Sequence, residues 1–179
     1  MTNAHEDNIF VDVDLVDGLS IEEYLSLLLP LLDNSVYSTV SELYANFTDI
    51  YDTASDIMGD AIFVCPSYGL VHAFEDKGRK GLFAIPPAYH GDDLGYYLPS
   101  LSLGVPPYNN SAFDTAFVSS FFNFALANNP NMRIDVPSII PFWPTWSNGS
   151  QEMLFNCTED FLPDIHAFQT ADIQLERCR

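Results

Sequence analysis

His90 lies in the stretch Pro86-Pro87-Ala88-Tyr89-His90-Gly91-Asp92-Asp93-Leu94, a Gly-flanked loop that follows the apolar run Gly81-Leu82-Phe83-Ala84-Ile85. A loop held by a rigid strand is where an imidazole can meet a substrate and move protons near neutral pH. Near the start, Asn3-Ala4-His5-Glu6-Asp7-Asn8-Ile9-Phe10-Val11 carries a carboxylate that could orient such a ring and stabilise its protonated form. Glu6 and His90 are thus candidates for two members of a nucleophile–histidine–acid triad. The nucleophile is the gap, because no Gly-x-Ser-x-Gly elbow occurs in the 179 residues. The nearest approach is Cys65-Pro66-Ser67-Tyr68-Gly69. There cysteine replaces the first glycine, Pro66 removes an amide, and Ser67 follows Glu6, whereas the order in α/β-hydrolases is serine, acid, histidine. Ser67 is read as an ordinary helix serine.

The elements that must hold these loops are mostly helices. Ser20-Ile21-Glu22-Glu23 is a capping box, and it opens a helix that Pro30 should end or kink. A second helix is predicted over Ser35 to Asn46. A third begins near Thr53 and runs to Phe74, with apolar residues on most faces, so it should be buried on more than one side. Lys77-Gly78-Arg79-Lys80 then closes it, cations meeting the negative end of the helix dipole. Leu82 to Ile85 is the strand before the histidine loop. A proline-rich connection over Leu98 to Asn110 leads to an aromatic amphipathic helix from Ser111 to Asn128, stopped by Asn128-Asn129-Pro130-Asn131. Its Phe113 to Phe124 stripe is read as core. Phe10 to Leu15 is predicted as a short strand or irregular segment, Met153-Leu154-Phe155 as a short strand, and Gln169 to Arg179 as a closing helix. A lone strand cannot satisfy its own backbone. With few strands evident, the expectation is an α/β sheet most of whose strands lie upstream.

Composition narrows the partners. With 25 acidic residues against 6 Lys plus Arg, the net charge of -19 argues against nucleic acid or an anionic membrane surface as partner. No run approaches the roughly 18 apolar residues of a transmembrane helix. The 47% hydrophobic content is ample for one globular domain, 1-179. Met1 to Asp7 lacks the basic and apolar regions of a secretory signal. Four N-glycosylation sequons, at Asn46, Asn109, Asn148 and Asn156, favour a secretory route nonetheless. Three cysteines, Cys65, Cys157 and Cys178, allow one bridge in any of three pairings.

The segments Asn3-Ala4-His5-Glu6-Asp7-Asn8-Ile9-Phe10, Phe63-Val64-Cys65-Pro66, Tyr89-His90-Gly91-Asp92-Asp93, Phe121-Phe122-Asn123-Phe124-Ala125, Asn129-Pro130-Asn131 and Phe142-Trp143-Pro144-Thr145-Trp146 follow one another along the chain. In this order they resemble the C-terminal portion of the type B carboxylesterase/lipase family, most closely its fungal branch. The resemblance covers nearly the whole chain. It implies a partial α/β-hydrolase fold with the N-terminal half missing, no cofactor, and ester substrates, small-molecule or lipid, for the intact enzyme. It further implies that His90 is the catalytic histidine of the family's His-Gly-Asp/Glu motif and Glu6 the acid of its Asn-x-x-Glu-Gly motif. Asp7 departs from the pattern, standing where the family has glycine. If that position needs positive φ, the aspartate is strained by about 1 kcal/mol, and it could also raise the pKa of Glu6.

Other groups carry less. His5, His72 and His166 have no metal-site spacing and no Cys-x-x-Cys occurs, so no metal is expected. Asp92 and Asp93 are read as favourable charges at the start of the next helix, with shaping of the histidine loop as the other option. The chain alone is expected to be inactive for want of the serine. The competing function is a non-catalytic, esterase-like binding or interaction protein that docks through an exposed sheet edge, and a third is a small acidic regulatory protein.

Overall fold

A computed structural model of the chain describes residues 1–97, 106–133 and 137–179. Among the described residues, four strands form one sheet in the order β1-β2-β3-β4: β1 (Thr2–Asn3), β2 (Lys80–Phe83), β3 (Gln151–Cys157) and β4 (Pro163–Gln169). β1, β2 and β3 run parallel, and β4 returns antiparallel along the whole length of β3. The predicted strand is therefore not alone, since its two neighbours come from opposite ends of this same chain. Of these, β3 extends the short strand expected at Met153-Leu154-Phe155, whereas β1 has only two residues and was not visible beforehand; nor was β4, which occupies the segment leading into the closing helix.

The pleat sorts side chains onto two faces. Phe83, Met153 and Phe155 point to one face and bury against Phe113, Ala116 and Phe117 of α7 (Ser111–Ala127), forming the main core. On the other face Lys80 pairs in register with Glu152. Both are buried, the ammonium 3.1 Å from the carboxylate, and the Tyr68 and Thr170 hydroxyls donate to the second carboxylate oxygen. Lys80 is thus a strand residue facing inward; of the basic cluster, only Lys77 falls within the helical turn that follows the long helix.

The crossover from β1 to β2 holds α1 (Val13–Val16), α2 (Ile21–Leu28), α3 (Asn34–Leu43), α4 (Ile50–Gly59) and α5 (Cys65–Ala73). The capping box at Ser20 and Glu23 forms as predicted, with both reciprocal hydrogen bonds. α4 and α5 are one long helix joined by a π-helical turn, Asp60–Val64, in which the Cys65 amide reaches back five residues to the Asp60 carbonyl. Pro66, the next residue, has no amide to give Ile62, so the ladder is already broken there and the wider turn costs little. α1 takes the place of the short strand or irregular segment expected over Phe10 to Leu15. Asp12 caps it, and of Val13, Leu15 and Val16 only Val16 is buried, so the apolar alternation did not mark a buried sheet face.

Between β2 and β3 lie α6 (Leu94–Tyr97) and α7. Asn110 caps α7 at one end, and Asn128 ends it in the left-handed region. Only part of its aromatic stripe is core: Phe113 and Phe117 are fully buried, while Phe122 and Phe124 are exposed. The proline-rich connection lies outside the described residues as far as residue 105. Closing α8 (Asp172–Arg177) is shorter than predicted, because Gln169 belongs to β4. A Cys65–Cys178 disulfide and the Arg177–Asp56 ion pair tie α8 to the long helix, leaving Cys157 free.

Candidate active site

The site begins where β1 and β2 end. Their register continues beyond the strands: the Ala4 amide donates to the Phe83 carbonyl at 2.8 Å and the His5 amide to the Ala88 carbonyl at 3.0 Å, and His5 bridges to Tyr89. Two loops 84 positions apart in sequence are thereby zipped side by side, and Glu6 Oε2 comes to 2.7 Å from His90 Nδ1. The carboxylate is buried, with 8% of its side chain exposed, whereas 46% of the imidazole is exposed. Buried acid and open ring are what an orienting group and a proton carrier respectively require.

The supporting contacts are specific. Glu6 Oε1 accepts the Asn3 backbone amide at 2.6 Å, which fixes the carboxylate. The Asn3 side-chain amide donates to the Tyr89 carbonyl at 2.7 Å and to Asp93 Oδ1 at 3.2 Å, holding the histidine loop to the acid loop. Asp92 accepts the Tyr89 amide at 2.8 Å. Both aspartates therefore shape the histidine loop as well as preceding α6. The ring of His90 is flanked by Phe63, 4.8 Å between centroids, and Phe10, 5.3 Å. Burial and the Asp93 carboxylate push the Tyr97 phenol well above its ordinary range, so it stays a neutral donor. Sequence reasoning did not single out Asn3, Phe10 or Phe63 individually. Asn3 carries a local signal, three residues before the acid, but the Phe63 contact depends on how the long helix docks.

A carboxylate at Nδ1 requires the proton on that nitrogen, which leaves the lone pair on Nε2. His90 can then accept a proton from a nucleophile at Nε2 and later return it. Ser67 does not serve as that nucleophile. It sits in α5, its hydroxyl donating to the Val64 carbonyl at 2.7 Å. Asp7 is not among the residues with positive φ, so no backbone strain attends it. Its side chain is buried, and desolvation raises its own pKa to about 6. His5 bonds the Pro87 carbonyl, His166 bonds Asp164, and His72 lies against Trp146. Asp60, Cys65 and Cys178 converge closely enough to hold a cation, but the two sulfurs are joined to each other.

The sheet order and the flanking helices make the chain part of an α/β-hydrolase fold. Among solved structures the chain is similar to the crystal structure of EstA from Aspergillus niger, with a TM-score of 0.74 at 17% identity, over 98% of this chain and 37% of that one. It also matches an esterase from anaerobic Clostridium hathewayi that can hydrolyze aliphatic aromatic polyesters, with a TM-score of 0.44 at 14% identity, over 99% of this chain and 34% of that one. The chain thus spans little more than a third of either. By sequence, no protein-family model and no curated protein matches it.

Proposed function

We propose that the chain is the C-terminal portion of a serine carboxylic ester hydrolase of the type B carboxylesterase/lipase family, in which Glu6 orients His90 and His90 acts as general base and then general acid. The observation that carries this is the 2.7 Å contact between His90 Nδ1 and the buried Glu6 carboxylate at the ends of two parallel strands. The serine and its oxyanion hole belong to polypeptide upstream of this portion, where further strands would continue the sheet from β1. In the assembled enzyme the serine attacks the ester carbonyl as His90 Nε2 takes its proton. The same nitrogen then protonates the departing alcohol, and water repeats the cycle on the acyl-enzyme.

Three of the four sequons, at Asn46, Asn109 and Asn148, are exposed, whereas Asn156 lies in β3 and is half-buried. Together with the Cys65–Cys178 disulfide this supports a glycosylated product of an oxidising, secretory compartment.

The isolated chain should neither turn over p-nitrophenyl butyrate nor form a fluorophosphonate adduct. A translation product extended upstream through a Gly-x-Ser-x-Gly elbow should do both, and His90→Ala in that product should cut turnover by about 10⁴- to 10⁶-fold. Turnover by the 179-residue chain itself, or an extended product indifferent to His90→Ala, contradicts the proposal.

A further inference from the structure

Between α5 and α7 opens a cleft of about 690 Å³, lined by Leu70, Phe74, Phe121, Phe124 and the buried Trp143 among others. It lies at the other end of β2 from His90. Arg79, which lines it, immediately precedes the first residue of β2, Lys77 lies just before that, and His90 follows the last. Its size is that of a small-molecule pocket, and its lining is mostly apolar, with Ser120 and Asn128 as its neutral polar residues and Lys77 and Arg79 as its charged ones.

Cations are scarce in a chain of net charge -19, six Lys plus Arg against 25 acidic residues, and two of the six line this cleft. Lys80 and Arg177 are each paired with carboxylates. The Arg79 guanidinium meets only the Trp143 and Lys77 carbonyls, and among the described residues no carboxylate forms an ion pair with Lys77 or Arg79. Glu75 and Asp76 share the turn of Lys77 but do not line the cleft. A mostly apolar trough lined by two cations that pair with no described carboxylate is complementary to a ligand with an alkyl chain and one anionic head. We propose that the cleft between α5 and α7 binds a long-chain carboxylate, the chain against Phe121, Phe124 and Trp143 and the carboxylate on Lys77 and Arg79. This assignment is independent of the catalytic reading above.

Calorimetric titration of the chain with sodium dodecanoate, below its micellar concentration and at low ionic strength, tests it. One saturable site per chain is expected. Lys77→Gln with Arg79→Gln should weaken binding about tenfold, the size of two partly exposed charge-assisted contacts. Phe124→Ser should weaken it as well, at a residue exposed enough to leave folding intact, as far-ultraviolet circular dichroism would verify. Dodecyltrimethylammonium, with the same tail and opposite head charge, should bind at least tenfold more weakly, and His90→Ala should leave dodecanoate binding unchanged, which separates this site from the catalytic one. Equal affinity for the two amphiphiles, or indifference to the Lys77 and Arg79 changes, overturns the proposal. So does a chain that takes up no dodecanoate but sediments as a dimer dissociated by Phe124→Asp, which would give the cleft to a second copy.

Discussion

The side chain of Asp7 rests against Gly59 so closely that a Cβ on Gly59 would stand 2.8 Å from Asp7 Oδ1 and 3.0 Å from its Cγ. The bare glycine at the end of α4 is what makes room for a carboxylate beside Glu6, in the place where the resembling family carries glycine. The accommodation is one of volume and not of backbone conformation. One oxygen of this carboxylate is buried without a hydrogen-bond partner among the described residues, and Asp56 and Asp60 add like charge from the long helix.

That arrangement makes stability depend on pH in a defined direction. Burial raises the Asp7 pKa from 3.8 to about 6, so between those values the folded chain holds a proton that the unfolded chain has lost. Stability from this group is complete below about 3.8 and is lost as pH rises through about 6. Asp7→Asn should therefore stabilise the chain at pH 7 by on the order of 1 to 3 kcal/mol, with the gain vanishing near pH 4. Urea denaturation of both proteins at the two pH values checks this.

Lys80 and Glu152 join β2 to β3 inside the protein, where burial lowers the lysine pKa against the opposing pull of Glu152. Lys80→Met should strand a buried carboxylate and cost about 3 to 5 kcal/mol. Adding Glu152→Gln should restore part of that loss, so that a double-mutant cycle by chemical denaturation gives a coupling of more than 1 kcal/mol. Additive single effects would show that the two charges do not sense each other.

The Cys65–Cys178 bridge closes a span of 113 positions and fastens α8 to the long helix. Cys65→Ser and Cys178→Ser should each lower stability by about 2 to 5 kcal/mol, and the double substitution by no more than either. Thiol titration of the denatured, unreduced chain should find a single reactive group, Cys157.

The helices were legible where local chemistry fixes them. The Ser20–Glu23 box and the Asn128 stop both depend on neighbours a few residues away, and the long helix is recognisable from its apolar spacing. The sheet was less legible. β1 is too short to carry a periodic signal, and β4, with Asp164 and His166 among its apolar residues, exists because β3 offers it a complete ladder. Such pairing is settled by tertiary contact and not by propensity. Lys80 misled for a related reason, since a basic cluster after a helix reads as a solvated end until Glu152 arrives from 72 positions away. Glu6 and His90 could be singled out because each sits on a loop beside an apolar segment, but their meeting depends on β1, which only the structure reveals. Phe63 joins them through the docking of a long helix that begins at Ile50, far along the chain from the acid loop, a contact that no local pattern encodes.

Nitrogen-resolved NMR of the His90 ring, in the native chain and in Glu6→Ala, tests the central claim most directly. In the neutral ring the proton should reside on Nδ1, bonded to the Glu6 carboxylate, and Glu6→Ala should let it redistribute toward Nε2 while the rest of the spectrum stays folded. A neutral ring protonated on Nε2 in the native chain, or a tautomer unmoved by Glu6→Ala, would contradict the pairing on which the proposed chemistry depends.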